Sequence, residues 1–345
     1  MFWFDLDNSP HVPLFRPIIT SLGERGVASI VTAREHAQTI ELLKLWKIPH
    51  TVIGVHAGKS KLKKVINLLQ RARRLKTFVR EQKPGLAVSH GSRTQLLAAW
   101  QLGIPSVLMM DYEYTESRIF NNFARWLLIP SFIPDARLKE AGLRMRKVIR
   151  YEGFKEEVYL KDFVPVQGFR RSLGIDDGKI LVTIRPPSVT GNYHDPLSEE
   201  LFAACISHCS SRPDAHVLIV NRTAAEHSLL RDVLRGRANV STLQSAVDGL
   251  QLLWSSDVVI SGGGTMNRES ALLGVPTFSI FTGRKPYLDE LLQEKGRLRF
   301  IGSVQDVNSI PVIKRSSPGL FSPTNIGIVE NLVQQLVDLE QTSRG

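Results

Sequence analysis

SDVVISGGGTMNRESALLGVPTFSIF, from Ser256 to Phe281, reads as a strand, a glycine loop, a helix and a second strand in one uninterrupted run. The apolar Val258-Val259-Ile260 ends in Ser261-Gly262-Gly263-Gly264-Thr265. Three successive glycines let the backbone turn sharply and approach a ligand, leaving amide groups to face an anion. Packing alone does not call for them. Asn267 to Leu273 follows as a helix with Glu269 near its start, and Pro276 to Phe281 as the next strand. In parallel α/β folds, ligands sit beyond the carboxyl ends of the strands, where helix N-termini favour phosphate. Glu269 would repel a bare phosphate, yet its carboxylate could accept hydrogen bonds from a pair of ribose or sugar hydroxyls. A nucleotide-diphosphate-sugar therefore suits this loop. The plainer alternative is a tight turn beside a structural carboxylate.

The same alternation extends to both sides. MFWFDLDN reads as a buried parallel strand entering a loop. Helices are expected at 13–25, 36–46 and 93–102, and strands at 28–32, 51–55, 86–89 and 106–110, followed by a weak helical segment at 117–128. In the second half, strands are expected at 180–184 and 215–220 and a helix at 201–209. Val240 and the residues around Leu250 lead into the glycine segment, 300–302 adds a short element, and 326–339 is a closing helix. Repeated βα units specify a doubly wound parallel sheet. Two such halves, 1–160 and 161–345, predict two Rossmann-like domains facing a cleft, with the final helix able to cross back.

At 345 residues, 43% hydrophobic and 22% charged, the chain can bury two ordinary cores. No apolar run reaches the roughly 18 residues of a membrane span, and Asp5, Asp7 and His11 interrupt the apolar start, so the chain reads as cytoplasmic. Cys205 and Cys209 lie four apart on an expected helix. They suggest neighbouring thiols, and their spacing with His194, His208 and His216 matches no strong metal signature.

The net charge of +11 is concentrated. Lys59, Lys61, Lys63, Lys64, Arg71, Arg73, Arg74, Lys76 and Arg80 come with no acidic residue between them, and Val65, Ile66, Leu68, Leu69, Leu75 and Phe78 give the stretch an apolar side. It reads as an amphipathic basic helix. A solvated surface, an anionic membrane that could carry a lipid-linked acceptor, or another anionic partner would each account for it. No nucleic-acid module accompanies it.

Polar residues gather at the expected strand ends. Asp5, Asp7, Asn8 and His11 are expected in the loop at the end of the first strand; Asp7 or His11 could take a proton from a substrate hydroxyl, or Asp7 and Asn8 could simply cap the turn with His11 packed on the helix. His90, Ser92 and Arg93 surround Gly91, with Ser92 a candidate helix cap. Asp111 and Glu113 follow another strand. Arg185 ends the strand at 180–184, Arg222 follows the one at 215–220, and Arg284 follows the glycine segment. Arg185, Arg222 and the Gly262–Thr265 backbone would converge on a diphosphate, with Glu269 beside the sugar or ribose.

FDLDNSPHVPLFRPII, VTAREH, SHGSRTQLLAAWQLGIPSVLMMDYEYTES and SGGGTMNRESALLGVPTF together make the chain resemble the DUF354 family over most of its length. That resemblance implies a GT-B architecture. The glycine segment is also similar to the donor-nucleotide motif of murein glycosyltransferases and UDP-N-acetylglucosamine 2-epimerases. This likeness implies that Glu269 contacts the ribose while Gly263 and Gly264 approach the phosphates. Ser92 stands where the epimerase pattern has a catalytic aspartate, Arg185 where it has a catalytic histidine, and Asp111 matches the place of one glutamate. Epimerisation is therefore not carried over.

The expected reaction is glycosyl transfer from a nucleotide-sugar, with cell-envelope or surface polysaccharide metabolism as the expected setting. His11, Asp7 and Asp111 are candidates for the chemistry, and Asn8, His90, Ser92, Arg93 and Glu113 for acceptor or sugar positioning. No tightly bound cofactor or metal is expected, because cationic side chains and helix ends would stabilise the leaving diphosphate. An epimerase or hydrolase with other catalytic groups, and a non-catalytic nucleotide-sugar sensor, are the alternatives.

Overall fold

The five residues Phe2–Leu6 (β1) are buried throughout, as suits a central parallel strand covered on both faces. In the computed structural model, residues 37, 56–60, 116, 188–194, 221–235, 244, 246, 317–320 and 344–345 fall outside the description, as do the side chains of 61–64. The described chain forms two compact units, Met1–Lys161 with Pro323–Gly345, and Asp162–Ser322.

In the first unit β1 is joined by β2 (Ser29–Glu35), β3 (Thr51–Val55), β4 (Leu86–His90), β5 (Ser106–Met109), β6 (Trp126–Pro130) and β7 (Val148–Tyr151). All pair in parallel, in the order β3-β2-β1-β4-β5-β6-β7. The second unit repeats the plan with β8 (Ile180–Arg185), β9 (Ala215–Ile219), β10 (Val240–Thr242), β11 (Val258–Ser261), β12 (Thr277–Ser279) and β13 (Arg299–Phe300), in the order β10-β9-β8-β11-β12-β13. In each sheet the winding reverses once, between β1 and β4 and between β8 and β11. In doubly wound sheets the strand ends at such a reversal are where ligands bind.

Several expectations need correction. The segment 117–128 is a helix only over Ser117–Phe123; Trp126–Pro130 is a strand between β5 and β7. Its unbroken apolar run has no helical period, and β7 with its single buried residue gives a weaker signal still. The first helix begins at His11, not Pro13, with Pro10 as its cap residue. A helix at Tyr287–Glu294 was not anticipated.

The basic stretch forms the helix Lys61–Val79, and Lys59 lies outside the described residues. Its apolar side is split. Ala72, Leu75 and Val79 are buried, whereas Val65, Ile66 and Leu69 are exposed. Arg71 is not part of the surface at all, being 4% exposed. Cys205 and Cys209, on the helix Pro196–Ser210, are buried unbonded thiols within one apolar cluster. Burial pushes Cys205 up to about 12, and burial with the neighbouring Cys205 raises Cys209. The helix Ile328–Thr342 packs against the helix His11–Glu24 in the first unit.

Candidate functional site

At the reversal of the first sheet, the register Asp5–Ser89 sets the ends of β1 and β4 side by side. The turn after β1 is closed by the His11 backbone amide donating to the Asn8 carbonyl at 3.0 Å. This makes His11 the first residue of its helix and turns it inward, 7% exposed. Its Nδ1 lies 3.3 Å from Asp7 Oδ1 but is not aligned as a hydrogen bond, and has no hydrogen-bond partner among the described residues. The His90 ring stands 5.1 Å from the His11 ring, centroid to centroid, with His90 Nε2 3.0 Å from Asp111 Oδ1. Asp111 is bound on its other oxygen by Lys155 Nζ at 2.8 Å, and Lys155 donates also to Glu156 Oε1 at 2.6 Å.

Burial lowers the His11 pKa well below that of free imidazole, and the electrostatic influence of His90, Lys155 and Arg34 pushes it the same way against that of Asp111. The ring is therefore neutral at pH 7 and able to accept a proton. Burial raises Asp7, with Arg34 opposing; Arg34 also donates to the Asp7 carbonyl at 2.9 Å. A neutral imidazole beside a carboxylate can perform general-base chemistry.

Directly beneath lies a fully buried brace. Asp5 receives Arg71 Nη2 at 2.7 Å and Nη1 at 2.8 Å, Thr32 Oγ1 at 2.7 Å and Ser92 Oγ at 2.5 Å. Arg71 Nε donates to the Ile53 carbonyl at 2.7 Å, and the guanidinium also reaches Thr94. Burial alone would raise the Asp5 carboxyl, but the charge and hydrogen bonds of Arg71, with Ser92 and Thr32, hold it below the usual range. Ser92 is fully buried and caps the helix as expected, accepting from the Gln95 amide at 3.3 Å. Arg93 begins that helix half-buried. Asn8 uses its side-chain oxygen on the Ser9 amide at 2.9 Å, and Glu113 is buried.

At the reversal of the second sheet, Ser261 pairs with both Arg185 and Ser279, so the glycine loop leaves between two strand ends. The Gly262 amide donates to the Arg185 carbonyl at 3.2 Å. The three glycines are not equivalent, which corrects the expectation that packing has no claim on them. A Cβ at Gly262 would lie 2.6 Å from Pro187 Cα, and one at Gly263 would lie 2.8 Å from the Phe281 ring. Gly264 alone faces open space, at φ +83° and ψ −156°, a backbone state that is essentially glycine-only. Thr265 then opens the helix Thr265–Leu272, and Glu269 sits half-buried one turn on. Arg284 is exposed in the loop after β12, while Arg222 lies outside the described residues.

Nothing in the residue pattern announces what fixes this helix. Arg268 Nη1 donates to Asp289 Oδ1 at 2.9 Å, and Asn267 Nδ2 to Asp289 Oδ2 at 3.1 Å and Ser279 Oγ at 2.9 Å, all buried. A charged pair hidden between two short helices looks solvent-facing in sequence. Among the described residues, no group of three or more histidine, cysteine or carboxylate side chains could hold a metal ion.

The chain is 28% identical over 314 residues to an uncharacterised protein of Methanocaldococcus jannaschii, covering 88% of this chain and 89% of that protein. Its fold is similar to the UDP-GlcNAc 2-epimerase of Neisseria meningitidis bound to UDP-GlcNAc, with TM-score 0.76, 14% identity and coverage of 98% and 99% of the two chains. The S. aureus MnaA–UDP co-structure gives TM-score 0.77, 13% identity and coverage of 99% and 97%. Anabaena Alr3699/HepE in complex with UDP and glucose gives 0.61 and 17%, again covering 99% and 97%. At these identities the likeness establishes the fold, a GT-B-like pair of Rossmann units. With its sequence matched from residue 1 to 316 by a family described as proteins of unknown function, the chain belongs to DUF354.

Proposed function

We propose that this chain is a nucleotide-sugar enzyme that transfers a glycosyl group to a hydroxyl acceptor. Gly264 carries the proposal: its backbone state demands glycine although a side chain would meet nothing, so the demand comes from the conformation that bares the loop. In this reading Arg185 and the Gly263–Thr265 amides hold the donor diphosphate, the Gly262 amide being used on the Arg185 carbonyl, with Arg222 and Arg284 as further cations, and Glu269 accepts from ribose hydroxyls. His11, steadied by Asp7, takes the acceptor proton as the acceptor oxygen bonds to the anomeric carbon and the bond to the diphosphate oxygen breaks. The released charge is met by Arg185 and the loop amides. The fold is shared with proteins named as epimerases, but Ser92, at the position of an epimerase aspartate, is locked into the Asp5 brace, which favours transfer.

The test is heat unfolding against a panel of UDP-, GDP-, CMP- and dTDP-sugars, followed by turnover assays with the stabilising donor. One donor class should stabilise the protein, by about 2.7 kcal/mol at a hundredfold excess over Kd. Glu269→Gln should weaken that donor by roughly 10- to 100-fold, as expected when a hydrogen bond to a charged acceptor is lost. Equal affinity would remove Glu269 from the site, and a panel without any stabilising member would overturn the nucleotide-sugar reading.

We further propose that the exposed Val65, Ile66 and Leu69, flanked by exposed Arg73 and Arg74 on the same helix, rest on the anionic inner face of a membrane and bring the enzyme to a lipid-linked acceptor. Basic residues near such a surface contribute about 1 kcal/mol each. Vesicles containing phosphatidylglycerol should sediment the protein at low salt while neutral phosphatidylcholine vesicles should not. Leu69→Glu should abolish the difference, and equal recovery with both vesicles would sink the idea.

A further inference from the structure

The residue beside the candidate base with no role so far is Lys155. It lies in the turn between β7 and the short helix Glu157–Leu160, and its side chain is 4% exposed. A lysine so deep in the protein must be paired, since an isolated buried ammonium is costly. Its partners are Asp111 Oδ2 at 2.8 Å and Glu156 Oε1 at 2.6 Å. Glu156 is fully buried and Asp111 is 5% exposed. Asp111 thus holds Lys155 with one oxygen and His90 Nε2 with the other, and the His90 ring packs on His11.

We propose that Lys155 is a positioning residue for the His11 base, fixing the Asp111 carboxylate so that Asp111 orients His90 and His90 orients the His11 ring. The inference rests on the reading of His11 as the base and adds a residue to it. A structural ion pair alone would not need the chain of contacts to end on a buried imidazole whose Nδ1 has no hydrogen-bond partner among the described residues.

The charges around His11 give the arrangement a second effect. Facing it are Asp7 in its own turn, Arg34 at the end of β2, His90 at the end of β4, Asp111 after β5, and Lys155 with Glu156 after β7. After burial and His90, Lys155 is the next contributor to the lowered affinity of His11 for protons. Removing the ammonium should therefore let His11 take up a proton at higher pH.

The test is a pH titration of the full chain with isotopically labelled histidine, followed by NMR in the wild type, Lys155→Met and Lys155→Arg. In Lys155→Met the His11 midpoint should rise by about one pH unit, and the His90 Nε2 resonance should move as Asp111 is released. Lys155→Arg, which keeps the charge and a donor, should restore both toward wild type. If Lys155→Met does not fold, the double variant Lys155→Met/Glu156→Gln, which removes one charge of each sign, is read through the His90 Nε2 resonance, since the two charge losses oppose each other at His11. An unchanged His11 midpoint together with an unchanged His90 resonance would overturn the proposal. The readout needs no substrate. A shifted midpoint in a protein that binds no nucleotide-sugar would overturn the transferase reading and leave the Lys155 link standing.

Discussion

Arg71→Met is expected to destabilise the first unit by about 3–5 kcal/mol, the usual cost of stranding one member of a buried ion pair. Asp5 is fully buried and Arg71 4% exposed, so water cannot take over the lost contacts. The substitution would leave the Asp5 carboxylate with Ser92 and Thr32 as its donors and release the Ile53 carbonyl. Chemical denaturation of the variant should show the loss directly. The double variant Asp5→Leu/Arg71→Met should be less destabilised than either single change, because no buried charge is left uncompensated. A loss below about 1 kcal/mol in Arg71→Met would show that the pair is not the brace described. Acid supplies an independent check. The Asp5 carboxyl is held below its unfolded value, so its contribution is complete above an unfolded pKa of about 3.9 and is lost as pH falls through the folded value.

His11→Ala should lower turnover by about 100- to 10,000-fold, the range for loss of a general base, while donor binding in the second unit is retained. The side chain is small and its Nδ1 makes no hydrogen bond among the described residues, so the protein should still fold. Because His11 holds its proton less readily than free imidazole, the wild-type rate should not fall between pH 8 and 6.5, and its acidic limb should lie well below 6.5. The same displacement has a sign in stability. Between the folded value and about 6.5 the unfolded chain binds the extra proton, so stability declines as pH drops through that window. Turnover within threefold of wild type in His11→Ala would move the base elsewhere in the Asp7–His90–Asp111 group.

Where periodicity was strong, the fold was legible. Thr51–Val55 and Arg93–Leu102 have the bounds expected of them, because an isolated apolar run or a capped amphipathic turn has few alternatives. Trp126–Pro130 was lost because it continues a helix without a glycine between them, and a run of four apolar residues has no period of its own. In the candidate site, loops after β1, β4 and β5 were named from their polar residues, and the structure brings His11, Asp7, His90 and Asp111 together. Ser92 caps its helix as expected, whereas Arg71 was misread, because an arginine among eight other cations looks like surface. The missed signal was Asp5, a carboxylate inside an otherwise apolar strand, which had to find a buried cation somewhere in the chain. Lys155 had no such signal, since Lys-Glu-Glu reads as ordinary surface charge.

The packing of Ile328–Thr342 against His11–Glu24 has a consequence for biogenesis. The first unit is interrupted by the whole of the second, residues Asp162–Ser322, so a nascent chain emerges with its N-terminal sheet lacking one covering helix. At about 5–20 residues per second, translation of the intervening segment lasts roughly ten to thirty seconds. Throughout that interval the apolar face of His11–Glu24 awaits its partner, and the half of the protein made first is the half completed last.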